Sequence, residues 1–222
     1  MSHDGFRPLL AATSVVLGAC ATVQPVNIDS GAYGAALRAN GIAVLVYAEK
    51  PIFVLTPGSV AGTGLIDDLT RPIGSKINIP SVAYMTASFL REWLVSHARL
   101  NVDAIPEKLL PTSEADQSVG ASGAKRKFVL KVQVPINSLY YRPLAWSTYQ
   151  YMLHVRATLI DSSNGNILWD HVCKLGGVGE DKSLQLDRVE FKNNDGQKLK
   201  DIVRESAKRC GTELAMGMKF PE

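Results

Sequence analysis

Residues 149–175, YQYMLHVRATLIDSSNGNILWDHVCKL, decide the architecture. Odd positions Tyr149, Tyr151, Leu153, Val155, Ala157 and Leu159 alternate with Gln150, Met152, His154, Arg156 and Thr158. A period of two marks a strand with one buried face and one wet face. Ser163-Asn164-Gly165-Asn166 follows, and Asn-Gly between two such runs is a strong hairpin signal. The chain is therefore predicted to return as a second strand over 166–175. Its odd positions Ile167, Trp169, His171, Cys173 and Leu175 make the more apolar face.

Upstream, the even positions Phe128, Leu130, Val132, Val134 and Ile136 alternate with Val129, Lys131, Gln133 and Pro135. That adds a third strand and makes an antiparallel meander. Pro135 cannot donate to a ladder and argues for an edge or a bulge at that point. The run Gly41–Tyr47 is apolar on both faces, which suits a central buried strand; Ile52–Leu55 and Leu100–Ile105 read as further short strands. Ser81 is placed to cap a helix running to about Arg99, with Val82, Met85, Phe89 and Trp93 as its apolar stripe. In a last helix, about 196–216, Val203, Ala207, Cys210 and Leu214 form one stripe. The fold class expected is α+β, a mainly antiparallel sheet with two main helices packed on one face.

Length and composition agree with one folded domain: 222 residues, 46% hydrophobic and 20% charged. The formal net charge of +3 is small and scattered, so no nucleic-acid partner is expected. Glycine-containing residues 56–80 read as a long loop of the kind that serves function or moves. Its glycines, Gly58, Gly62 and Gly64, fit neither the Rossmann nor the Walker spacing. Residues 106–124 read as loop by their Pro, Ser and Gly content.

The N-terminus carries the most specific signal. Pro8–Leu17 is a short apolar segment that ends in Leu17-Gly18-Ala19-Cys20. It suits a secretory signal and is too short to span a bilayer. A branched apolar residue, two small residues and a cysteine resemble the lipobox of bacterial lipoprotein precursors. That resemblance covers about a tenth of the chain. It implies a signal peptide over 1–19 and a lipidated first mature residue at Cys20, carrying acyl chains such as palmitate. Residues 20–40 then read as a tether and 41–222 as a single periplasmic domain. Because Ala21, not Asp, follows Cys20, the outer membrane, facing the periplasm, is the expected location. The mature domain is similar only in layout to small periplasmic α/β lipoproteins that serve envelope machines.

With Cys20 assigned to lipid, Cys173 and Cys210 remain as one possible pair in a compartment that permits disulfides. Cys173 lies on the apolar face of its strand and Cys210 on the apolar stripe of the last helix, so a disulfide is expected between them. A metal reading of His171-Val-Cys173 lacks a second ligand cluster, and no metal or cofactor is expected. No nucleophile elbow or zinc-protease helix motif occurs, and the paired acids Asp67-Asp68 and Glu180-Asp181 read as solvated.

One stretch stands out for recognition. Leu139-Tyr140-Tyr141-Arg142-Pro143-Leu144-Ala145-Trp146 joins two strands where polar residues are the norm. Tyr, Trp and Arg are the residue types enriched at interface hot spots. Tyr140, Tyr141, Arg142 and Trp146 are therefore candidate partner-binding residues, with burial at the end of the core as the alternative. The expected function is a non-catalytic accessory or assembly factor for an envelope complex, held on the membrane by its lipid and touching an envelope protein partner. The alternative is a small-ligand or lipid binder that uses residues 56–80 as a mobile lid.

Overall fold

The computed structural model describes residues 30–55, 78–111, 126–142, 147–177, 181–187, 190 and 196–218. Six strands form one mixed, mostly antiparallel sheet: β1 (Ile42–Val46), β2 (Phe53–Leu55), β3 (Phe128–Tyr141), β4 (Thr148–Asp161), β5 (Asn166–Leu175) and β6 (Gln185–Asp187). The helices are α1 (Ser30–Asn40), α2 (Val82–Ser96) and α3 (Gln197–Gly217). The two long strands β3 and β4 pair antiparallel at the centre. β1 and β2 lie parallel to the first and last parts of β3, while β5 and β6 lie antiparallel along β4. The α+β architecture expected from the alternation is the one observed, with α2 and α3 on one face.

In β4 the odd residues Tyr151, Leu153, Val155, Ala157 and Leu159 are fully buried under the helices, as their alternation demands. The neighbouring strands keep that phase only up to a bulge. In β3 the register shifts between Gln133 and Ile136, around Pro135. Pro135 has no N–H for the ladder, and one extra residue there reverses which parity faces the core. Phe128, Leu130 and Val132 point inward before it and Leu139 after it, so Ile136 leaves the inner set. A second shift opposite Leu159/Ile160 turns Ile167 outward, 49% exposed, while Trp169, Cys173 and Leu175 stay buried.

Two further expectations are corrected. β1 ends the strand path and is not central; its outer side is sealed by residues 101–110. Ile42 N–H donates to Asn101 O (2.8 Å), Asp103 N–H to Ile42 O (2.9 Å) and Leu110 N–H to Val46 O (2.9 Å). This explains a strand apolar on both faces at the end of a sheet, and it reduces the expected 100–105 strand to isolated bridges. The tether expected over 20–40 is helical from Ser30, and Leu37 of α1 is fully buried in the core.

The helices pack through small residues. The buried face of α2 is Val82, Ala83, Thr86, Ala87, Leu90 and Leu94, which puts Met85, Phe89 and Trp93 of the expected stripe on the flank. The cause lies on α3: a Cβ at Gly211 would come within 2.7 Å of Phe89 Cβ and 3.1 Å of Thr86 O. The missing side chain at Gly211 is what lets the two backbones come this close at Thr86 and Phe89. Ser81 caps α2, accepting from Tyr84 N–H, while both Glu49 carboxylate oxygens accept, one from Val82 N–H (2.7 Å) and one from Ser81 Oγ (2.9 Å). On the other side of α3, Cys210 is joined to Cys173 of β5 by a disulfide, both residues fully buried.

Candidate functional site

The aromatic stretch lies at one end of the sheet, where β3 hands over to β4. Tyr140 and Tyr141 are the last residues of β3, not a connection, because Tyr140 pairs with Gln150 and Tyr141 with Tyr149. Successive residues of a strand face opposite ways, so the two tyrosines do different work. Tyr141 lies on the helix-covered face and meets Tyr149 edge to face, with ring centroids 5.9 Å apart. Tyr140 lies on the second face, where its hydroxyl donates to the carbonyls of Gly176 (3.3 Å) and Gly177 (3.2 Å). Burial raises the Tyr140 phenol above its ordinary pKa, against the opposing charge of Arg142. Arg142 N–H closes the strand end on Thr148 O (3.2 Å), and its side chain is half-buried. Both tyrosines are half-buried too. Trp146 and Cys20 lie outside the described residues.

Tyr140 has a partner that no local pattern announces. After β5 the chain leaves at Gly176 and Gly177 on the second face, beside Tyr140, and returns as β6 on the same edge of β4. At this exit, Gly176 has φ +85°, and a Cβ there would meet Tyr151 O at 2.0 Å. Only glycine fits such an approach at that backbone angle. Gln150 Nε2 holds the far side by donating to Asp181 O (3.3 Å), and Arg209 from α3 donates to the Asp181 carboxylate (2.7 Å). The Asp181 carboxyl is held below the ordinary range by hydrogen bonds from Ser183 and Arg209. Tyr140 and Gln150 therefore act as two clasps on one crossover.

Beside this end, Glu49, Lys50, Pro51, Asn78, Pro80 and Asn137 line a cleft of about 230 Å³. Tyr151 donates to Asn137 Oδ1 (2.8 Å) at its margin, and burial pushes the Tyr151 phenol far above the ordinary range, with the charge of Glu49 adding to the shift. The cleft, which Ile52 and Ile79 also line, is as apolar as it is polar and is smaller than a drug-sized ligand site. Of the expected lid it includes residues 78–80, and residues 56–77 lie outside the described ones.

Further along the second face, Asp170 is buried and receives Arg156 Nε (2.8 Å), Arg156 Nη2 (2.9 Å) and Thr158 Oγ1 (2.8 Å). Burial alone would raise this carboxyl; the hydrogen bonds and charge of Arg156 bring it below its usual value. The triad is saturated internally and presents no open ligand position. His171 lies 3.7 Å from Glu213 and Cys173 is spent in the disulfide. Among the described residues no group of three His, Cys, Asp or Glu side chains is arranged to hold a metal, and no helix is long and apolar enough to cross a membrane. Of the expected site residues, the structure brings together Tyr140, Tyr141 and Arg142 at one strand end, and Cys173 with Cys210 in one bond.

No family model and no curated protein matches the chain. Several solved structures are similar. A Xanthomonas campestris protein of the DUF330 family shares 12% identity over 78% of this chain and 80% of its own, with a TM-score of 0.39. The PelC dodecamer from Paraburkholderia phytofirmans shares 12% over 85% and 95%, at 0.33. The lipoprotein GNA1162 from Neisseria meningitidis shares 14% over 75% and 96%, at 0.27. Likenesses this distant carry no argument about activity or partners.

Proposed function

We propose that this chain is a lipid-anchored protein of a bacterial cell envelope, working as a non-catalytic accessory or assembly factor for an envelope complex. The observation that carries this reading is the apolar segment 8–17 running directly into Leu17-Gly18-Ala19-Cys20. The buried Cys173–Cys210 disulfide fits an exported chain, because reducing compartments seldom keep such bonds. The site described above has internally partnered side chains, which favours a docking body over a pocket for a free ligand. Outer-membrane placement rests on Ala21 after Cys20.

With α1 starting at Ser30, ten residues from Cys20 span at most about 35 Å when fully extended. The anchor therefore keeps the domain close to the bilayer, and any partner must be reached there.

The test is expression of the full chain and of a Cys20→Ala variant, followed by mass measurement of the N-terminal peptide and membrane fractionation. The proposal expects a wild-type N-terminus at Cys20 carrying acyl groups, and a variant that is neither acylated nor retained in the outer membrane. An unmodified chain that still begins at Met1 would refute the anchor. Co-purification from gently solubilised envelopes then decides the second half: a stoichiometric envelope protein supports the accessory role, and a bound small molecule in its place overturns it.

A further inference from the structure

The helices form one layer on one face of the sheet. α2 and α3 lie side by side, in contact where Gly211 meets Thr86 and Phe89. α1 belongs to the same layer. Leu37, with Tyr33 and Ala36 beside it, packs into the core that Ile42, Val44 and Val46 of β1 face, while Ala43 and Tyr47 point the other way. The outer side of this layer is where apolar groups are left in water. Among the described residues four large apolar side chains stand well exposed: Tyr84 (39%), Val95 (42%), Met216 (60%) and, on β5, Ile167. At about 100° per residue, Tyr84, Ser88 and Val95 fall opposite the buried face of α2, and Met216 falls opposite the buried stripe of α3. Single exposed apolar side chains need no explanation. Three on the outer side of one layer form a surface.

On this side a shallow groove of about 520 Å³ runs between α2 and residues 104–105, lined by Tyr84, Val95, Ala104 and Ile105 with Arg91 and Glu92 among them. Arg91 Nε donates back to Asp103 O (2.9 Å), and the charges of Arg91 and Glu92 are opposite, so the groove selects neither an anion nor a cation. A tyrosine, with an apolar ring and a polar tip, suits the boundary between hydrocarbon and water. The chain before α1 says what lies against this side. Ten residues separate Cys20 from Ser30, a reach of at most about 35 Å. The body from Ser30 to Glu222 has about 190 residues and is roughly 40 Å across. The tether enters that body in the helix layer. A lipid at Cys20 therefore holds this layer toward the bilayer and leaves the second face of the sheet turned away.

We propose that the outer side of the helix layer is the surface on which this protein rests on its membrane, with Tyr84, Val95 and Met216 dipping into the leaflet that holds Cys20. The inference rests on the anchor proposed above and adds an orientation to it. An apolar helix side at a bilayer surface sinks about 5–10 Å into the boundary of headgroups and acyl chains. Because the charges in the groove balance, the contact is apolar and needs no anionic lipid. The second face, where Tyr140 meets Gly176 and Gly177, is then free to meet a partner away from the lipid.

The experiment places the membrane-extracted protein in phosphatidylcholine vesicles whose acyl chains carry bromine, a short-range quencher of tryptophan. Two variants each add one tryptophan to the parent: Val95→Trp on the outer helix side, and Lys174→Trp at an exposed position of the second face. The proposal expects the added fluorescence of Val95→Trp to be quenched at least about twofold more than that of Lys174→Trp. It also expects the excess to vanish when Tyr84→Asp and Met216→Asp are added, since a charge is costly to bury in lipid. Circular dichroism of each variant must stay native, as the exposed sites predict. Equal quenching of the two tryptophans, or quenching of neither, overturns the proposal. So does a Val95→Trp signal shielded from bromolipid and from aqueous iodide alike, which makes this side a contact with another protein chain. Mass measurement at Cys20 separates the two readings. With no acyl group there the anchor fails, and the same quenching on chain coupled through the Cys20 thiol to a maleimide lipid still tests this side.

Discussion

Replacing both Cys173 and Cys210 by alanine removes a link that closes a 37-residue separation. The chain-entropy relation gives about 4 kcal/mol for a loop of this size at 25 °C. Both residues are fully buried, so the alanines also leave space where sulfur packed. A loss of about 4 kcal/mol is a large part of the stability of an ordinary domain, and it lowers the melting temperature of one this size by roughly 10 °C. Urea unfolding of the double variant beside the parent measures it directly. The burial adds a kinetic expectation: dithiothreitol leaves the folded parent oxidised and acts only at urea concentrations that open the α3–β5 contact. A double variant within about 1 kcal/mol of the parent, or rapid reduction in native buffer, would show that the link does not constrain the chain as argued.

Three other perturbations test separate parts of the fold. Gly176→Ala places a Cβ 2.0 Å from Tyr151 O at φ +85°; it is expected to cost at least about 2–3 kcal/mol and to free the Tyr140 hydroxyl, read as a fall of its phenol pKa by ultraviolet titration. Ser206→Ala goes the other way, because Ser206 Oγ is buried on α3 without a hydrogen-bond partner among the described residues; removing an unsatisfied hydroxyl and adding a better helix former should raise stability by about 1 kcal/mol in thermal melts. The depressed carboxyls of Asp170, Asp161 and Asp181 predict acid sensitivity of defined sign. A group whose folded pKa lies below its unfolded value stabilises the fold above that unfolded value, about pH 4. That contribution is lost as pH falls through the lower folded values. Stability measured by urea should decline below about pH 4, and Asp170→Asn should start lower and decline less steeply.

The β4 alternation was legible because nothing interrupts it: each odd residue from Tyr151 to Leu159 is buried as its parity requires. Parity failed one bulge away. Pro135 announced a fault in β3, but a fault reverses every later position, so Leu139 replaced Ile136 in the core. Ile167 failed for the same reason, at a bulge without a proline to mark it. The helix stripe on α2 failed differently. Large residues at Met85, Phe89 and Trp93 have the right spacing, yet packing against α3, whose Gly211 lets the backbones approach at Thr86 and Phe89, selects Val82, Ala83, Thr86, Ala87, Leu90 and Leu94 for the buried face. That selection is a property of the helix pair, invisible in either helix alone. α1 was missed because its glycines and alanines carry little amphipathic signal, and Leu37 earns its burial from tertiary contacts.

The candidate site divides along the same line. The disulfide could be read because it needed only two local phases, Cys173 on an apolar strand face and Cys210 on an apolar helix stripe, each intact where it mattered. The clasp of Tyr140 and Gln150 on the crossover needed long-range register: both residues must face the same way after the Pro135 bulge, and the chain must leave β5 over that face. With every residue of β3 in the ladder, Tyr140 would turn toward the helices and Tyr141 toward the crossover. The extra residue at Pro135 thus decides which tyrosine binds the glycine carbonyls and which stacks on Tyr149. It follows that deleting Pro135 straightens β3 without moving the later register: Ile136 stays opposite His154 and Tyr140 opposite Gln150, so the crossover contact survives the deletion.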